Sequence, residues 1–238
     1  MMMVEIYTIA SKPQHIMDIC QVHESFNYNP AYQARPGMHL PILIKDKEGA
    51  KLVMATWGIE PLTRVKNKIN IISTDKILRT PPFNVLMQTQ RCAILANCFF
   101  AENKDEAYLI RLIRPRLFCI GGIYIQEGDT YRFAMLKTAS ADVLAGLMDD
   151  MPLVFTHERL HIWLQSEHTF TIMNFAAKAG GHWFDLFKVS PDIFASTSND
   201  RDLLVPLGMS LQQMKARNDK LSEIDFQKER ANRKSMKH

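Results

Sequence analysis

The chain lacks most of the features that mark a familiar enzyme or scaffold. Its four cysteines, Cys20, Cys92, Cys98 and Cys119, form no CxxC pair, which argues against structural zinc and against a redox motif. They read instead as small buried apolar residues. There is no P-loop, no GxGxxG after a strand, no HExxH and no GxSxG. The longest apolar run, Cys92 to Ala101, contains Asn97 and falls well short of the roughly 20 residues of a membrane helix. The first residues carry Glu5 and run into Ser11, Lys12 and Pro13 without the apolar stretch of a secretory signal, so a cytoplasmic location is expected. Neither a metal nor a cofactor is implied, and no membrane contact.

An excess of one charge is also missing from most of the chain. The net charge of +4 resides in Lys215 to His238, where eight Lys or Arg face four Asp or Glu, and the remainder balances 21 basic against 21 acidic residues. A globally basic nucleic-acid surface is therefore excluded, and any positive groove must be local.

What is present is an ordinary globular composition of 238 residues, 47% hydrophobic and 23% charged, enough to bury a real core. With no repeat, low-complexity stretch or Gly/Ser linker before it, the chain divides into a single domain over 1–209 and a C-terminal helix with a basic tail over 210–238. Short apolar runs between turn residues predict strands at Leu40 to Ile44, Lys51 to Thr56, Ile69 to Ser73, Cys92 to Phe100, Ala107 to Ile113, Phe118 to Ile125 and Thr130 to Lys137. Glu127-Gly128-Asp129 marks an antiparallel hairpin between the last two. Helices are expected over Lys12 to Glu24, Ser140 to Met148, His157 to Leu164 and Thr169 to Lys178. Many strands with few short helices make the fold class α+β, mainly antiparallel sheet. In the tail, Ser210 and Gln213 form an S-x-x-Q capping box, and Leu211, Met214, Leu221 and Ile224 follow as one apolar stripe that packs on the body or docks a partner helix.

Chemistry-bearing residues are sparse. His157 and His161 lie four apart with Glu158 between them, a spacing compatible with acid–base or metal work and equally with an amphipathic surface helix, given Trp163 and Leu164. Trp57-Gly58, followed by Pro61, presents an aromatic ring at a turn, where rings either stack bases or simply pack. Asn70 sits in the apolar run Ile69, Ile71, Ile72, so its amide needs a hydrogen-bond partner.

An ordered set of motifs resembles the SRAP family, the SOS-response-associated peptidase domain that acts on abasic sites in single-stranded DNA. Asn27 to Gln33 (NYNPAYQ) is similar to YNxAPTQ, with Pro30 and Gln33 in place, and Trp57-Gly58-Ile59-Glu60-Pro61 is similar to WGLIP. Asn70 opens a segment similar to NARAET, Arg91 to Phe100 resembles RCLVPADGFY, and Gly122-Ile123-Tyr124 resembles GLW. Met135 to Ala139 resembles ILTTxA, Asp149 with Met151-Pro152 resembles HDRMP, and Val189-Ser190, Asn199-Asp200 and Pro206-Leu207 follow the C-terminal signature. The resemblance covers about residues 20 to 207 and implies a barrel-like β core flanked by short helices. It also implies a role in DNA damage and repair, with single-stranded or abasic DNA as partner.

The departures are as informative as the matches. In the family an N-terminal Cys closes a thiazolidine on the abasic aldehyde, and here Met2 occupies that position. The family's Glu falls at Ala101 and its His at Met148, while Glu102, one position late, should point to the opposite face of its strand. Asn70 alone survives from the catalytic set. Arginines of three family motifs are replaced as well, two of them by Ile72 and Asp150, which removes phosphate contacts. Replacement cations would have to come from Arg64, Lys66, Lys68, Arg111, Arg114 or Arg116.

The resemblance therefore implies a degenerate member without covalent chemistry that keeps a groove for DNA, with Pro30, Trp57, Asn70 and Thr138 as its contact residues. Two other readings stand beside it. One is a weak lyase that uses an N-terminal amine alone, since such an amine titrates near ~8 and can form a Schiff base. The other is an interaction module that reuses the fold.

Overall fold

A computed structural model of the chain describes residues 3–23, 26–47, 49–60, 68–167, 183–210, 213 and 216. The strands are β1 (Met3–Ile9), β2 (Ala31–Ala34), β3 (His39–Asp46), β4 (Gly49–Trp57), β5 (Ile71–Ser73), β6 (Arg91–Ala96), β7 (Cys98–Asn103), β8 (Glu106–Leu112), β9 (Phe118–Glu127), β10 (Thr130–Ala139), β11 (Asp150–Pro152), β12 (Val154–Phe155) and β13 (Phe184–Val189). The helices are short: α1 (Pro13–Cys20), α2 (Thr74–Ile77), α3 (Phe83–Thr89), α4 (Leu160–Gln165) and α5 (Asp192–Ala195). This is the expected α+β class.

One sheet runs β11-β10-β4-β3-β6-β9-β12, and because β9 also pairs β10, the strands β10, β4, β3, β6 and β9 close into a five-stranded barrel. Its pairings are antiparallel except β10 with β4, where Phe133 lies opposite Trp57. Closure converges on Gly122, which lies opposite both Cys92 on β6 and Met135 on β10. A Cβ there would lie 2.9 Å from the Ala134 carbonyl oxygen and 2.9 Å from Cys92 Sγ, so only glycine lets the strands approach.

The second sheet, β13-β8-β7-β1-β2, packs one face on the barrel. The predicted single strand Cys92 to Phe100 is in fact two, one in each sheet, divided at Asn97. The Asn97 side chain makes the crossing possible: Oδ1 accepts from the Ala10 amide at 2.7 Å, while Nδ2 donates to Ser11 Oγ at 2.9 Å and to the Arg116 carbonyl at 3.1 Å.

Two arginines, Arg91 buried and Arg35 half-buried, fasten helix ends to this frame. Arg91, 4% exposed, donates to the carbonyls of Met87 and Gln88 at the end of α3, and to those of Trp163, Leu164 and Ser166 at the end of α4. Arg35 does the same at the end of α5, reaching the carbonyls of Ile193, Phe194 and Ser196. A cation at the negative end of a helix satisfies orphan carbonyls and the helix dipole together.

Three helix expectations are corrected or bounded. Ser140 to Met148 is a succession of tight turns, because the Ser140 amide must reach the Asp149 carbonyl at 2.9 Å to return the chain antiparallel. Its apolar residues Leu144, Leu147 and Met148 are buried although the segment forms turns and not a continuous helix. The first helix stops at Cys20 because Gln21 turns left-handed, φ 55°. The predicted helix Thr169 to Lys178 lies outside the described residues, as do Leu211, Met214, Leu221 and Ile224. The capping box itself forms, with Ser210 N donating to Gln213 Oε1 at 2.9 Å and Gln213 N to Ser210 Oγ at 3.1 Å.

Candidate functional site

Asn70 is half-buried at the mouth of the barrel, between the bridge Ile59–Ile69 and β5. Its backbone carbonyl accepts from Trp57 Nε1 and from the Met135 amide, both at 2.9 Å. Its side-chain Nδ2 donates to Glu5 Oε2 at 2.8 Å. The opposite amide atom, Oδ1, is buried and has no partner among the described residues. It packs on Gly58, where an added Cβ would come within 3.0 Å of it. Gly58 has φ +123°, a conformation closed to most side chains, so the Trp-Gly pair serves both ring placement and amide clearance.

Trp57 does not present its ring to solvent. It is fully buried, 5.3 Å from the Tyr7 ring and stacked at 6.0 Å on Phe133, so it packs rather than stacking a base. Its contribution to the site runs through the hydrogen bond to Asn70. Thr138 is buried on β10 opposite Met151 on β11, beyond Lys137, whose Nζ pairs with Asp150 Oδ2 at 2.7 Å. Pro30 is exposed, but it stands elsewhere: its carbonyl accepts from Asn199 Nδ2 at 2.8 Å, next to the Ile9–Ala31 pairing. That end of β1 is about 13 Å along the strand from Glu5 at the usual rise per residue. The structure thus brings Trp57 and Asn70 together and leaves Pro30 apart.

Met3 pairs with Ala101 across β1 and β7. Ala101 and Met148 are both fully buried, while Glu102 is exposed on the other face. No cysteine precedes Cys20, which is itself buried. Burial pushes the Cys20 thiol up to about 12 and the Cys98 thiol up to about 12, away from the thiolate that nucleophilic chemistry needs.

Two of the six proposed replacement cations, Lys68 and Arg111, are paired. Lys68 lies 3.8 Å from Glu60, which also faces Arg132 at 3.6 Å. Arg111 covers the Phe187 ring at 4.3 Å and lies 4.0 Å from Asp185. Arg114 and Arg116 are exposed, and Arg64 and Lys66 lie outside the described residues. His157, Glu158 and His161 line a separate cleft of about 640 Å³ with Gln21, Lys47 and Gly49, at the opposite end of β4 from Trp57. Among the described residues no group of three His, Cys, Asp or Glu is placed to hold a metal ion.

Glu5 is the site residue that the motifs do not reveal. The signal in the sequence is a lone carboxylate within the apolar run Met3 to Ile9. Tyr7 and Ile9 of β1 lie in the main core and Ile6 in the smaller core beneath α5, while a register shift between Met3 and Tyr7 interrupts the strand at Glu5, whose carboxylate is placed by its bond to Asn70.

The comparisons with known proteins agree with this geometry. Over 180 residues the chain is 23% identical to the abasic site processing protein YoaM of Bacillus subtilis, covering 68% of this chain and 79% of that one. It is 24% identical over 156 residues to the abasic site processing protein YoqW, of Bacillus subtilis and of Bacillus phage SPbeta, covering 60% of this chain and 70% of the relative. A crystal structure of a protein from Bacteroides thetaiotaomicron superposes with a TM-score of 0.73 at 16% identity, over 86% of this chain and all of that one. A phage-related protein from Bordetella bronchiseptica gives 0.64 at 15% identity, over 78% of this chain and 94% of that one. The model of the SOS response associated peptidase family matches residues 3–196, and with the barrel, the Trp-Gly turn and Asn70 all in place, the chain belongs to the SRAP family.

Proposed function

We propose that this chain engages single-stranded or abasic DNA around Asn70 without the family's permanent covalent capture. One observation carries the reading: Asn70 keeps a fixed position through Trp57, Met135 and Glu5. The resemblance sets Ala101 and Met148, neither able to move a proton, against the family's Glu and His. The relatives described as abasic site processing proteins supply the ligand class. With methionine thioethers and no cysteine at the head of β1, an aldehyde held there meets no thiol.

The test is a fluorescence-anisotropy titration with single-stranded and overhang DNA at two salt concentrations. Binding that weakens with salt, but less steeply than for a protein with many phosphate contacts, supports the reading, because the cations near Asn70 face carboxylates. No binding at low salt overturns it.

A second reading, an interaction module, is favoured by a specific surface. Val205, Leu207 and Met209 are 56%, 62% and 50% exposed at two-residue spacing, immediately before the Ser210 capping box. If this segment and the helix it starts dock a partner, truncation after Gly208 abolishes self-association or partner recovery. An unchanged oligomeric state and partner set removes this reading.

A further inference from the structure

We propose that Glu5 and Asn70 form a hydroxyl-recognition pair that reads the baseless sugar itself, so that Glu5 is the residue that distinguishes an abasic site from intact single-stranded DNA. The inference rests on the DNA reading above and adds the group that is recognised.

The argument begins with position. Met3 lies opposite Ala101, and the residues on β1 that share a face with Tyr7 look onto the same core as Ala101, whereas Ile6 and Phe100 belong to the other. A register shift lies between Met3 and Tyr7, so the place of the Glu5 side chain is given by its bond to Asn70 rather than by alternation along β1. A carboxylate thus reaches Asn70 from β1, while Ala101 is fully buried in the main core. Glu5 is half-buried, and among the described residues its partner is the neutral Asn70 amide.

The chemistry of the pair selects its ligand. A carboxylate has about four acceptor sites, and the Asn70 bond fills one. An anion of this kind repels phosphate and attracts O–H or N–H donors. An intact nucleotide has no hydroxyl on the carbon that bears its base. An abasic deoxyribose in its closed form carries an anomeric hydroxyl at that carbon, a donor in the position the base has vacated. Asn70 contributes rigidity: its carbonyl is held from two sides, and its Nδ2 fixes the Glu5 carboxylate. A fixed acceptor loses little entropy when it binds, which is how a pair of polar groups provides discrimination.

The experiment compares three labelled oligonucleotides of one sequence by anisotropy: intact, abasic, and with a tetrahydrofuran residue that keeps the sugar ring and lacks the anomeric hydroxyl. The wild-type chain should bind the abasic strand about tenfold more tightly than the tetrahydrofuran strand, the range of one hydrogen bond to a charged group. Glu5→Ala should bring the abasic and tetrahydrofuran strands to equal affinity, and Glu5→Gln, which keeps an acceptor oxygen, should retain part of the preference. Thermal melting of both variants checks that the fold is intact, and complete release of the abasic strand on a denaturing gel assigns the preference to hydrogen bonding. Equal affinities in the wild type, a preference that survives Glu5→Ala, or a strand retained on the denaturing gel each overturns the inference. Failure to bind any of the three oligonucleotides removes the DNA reading and this inference with it, whereas equal binding removes the inference alone.

Discussion

Trp57 Nε1 donates to the Asn70 carbonyl at 2.9 Å, so a fully buried ring in the barrel sets the orientation of a half-buried amide at its mouth. Trp57→Phe removes that donor while keeping an aromatic in contact with Tyr7 and Phe133. The Met135 amide still reaches the carbonyl. The expected loss of stability is about 1–3 kcal/mol, from one hydrogen bond and the unfilled volume of the larger ring. Thermal unfolding measures it, and DNA binding should fall further than the stability change alone predicts.

Gly58→Ala should be costly for a different reason. The backbone at φ +123° is hostile to an L side chain, and the new methyl would lie 3.0 Å from Asn70 Oδ1. Backbone strain of this kind amounts to about 1–3 kcal/mol. Denaturant unfolding reads the cost, and DNA affinity should drop with it because the displaced group is the Asn70 side chain.

Arg91→Met tests the frame apart from the site. The guanidinium is buried, desolvation pushes its pKa down, and its acceptors are backbone carbonyls at the ends of α3 and α4. Methionine restores the volume and leaves those carbonyls uncapped. The expected destabilisation is about 3 kcal/mol or more, since several buried acceptors lose their donor at once. Hydrogen exchange should show the two helix ends opening first.

The protonation of buried groups sets an alkaline limit. Burial raises the Cys20 thiol from its ordinary 9.0 to about 12 and the Tyr28 hydroxyl from 10.0 to about 12. Below the ordinary values both folded and unfolded chains hold these protons, and stability is fully present. As pH climbs past 9.0 the unfolded chain releases them first, so stability falls progressively towards pH 12. The melting temperature should therefore decline above the ordinary thiol value. Thiol labelling of the native protein at neutral pH should be negligible, because all four cysteines are buried.

Much of this architecture was legible in the residues, and the failures have physical causes. The runs at 40–44, 51–56, 107–113 and 118–125 declared their strands because apolar stretches ended at turn residues, and Glu127-Gly128-Asp129 gave the β9–β10 hairpin. The strand Met3–Ile9 shows no alternation, since one face meets the barrel and the other a second small core. Ser140 to Met148 has helical spacing that tertiary closure through Ser140 and Asp149 overrides. Asn70 was visible as a lone amide in an apolar run. Its partner Glu5 was not, because the two are 65 residues apart and only the barrel brings them together.

The central claim is that aldehydes at this site are not captured permanently. Incubating the full chain with an abasic oligonucleotide, then heating it in detergent and resolving it on a denaturing gel, tests this directly. A parallel sample treated with borohydride reports any transient Schiff base. The account predicts that the untreated strand migrates entirely free; a shifted band that survives heat and detergent without borohydride would contradict it.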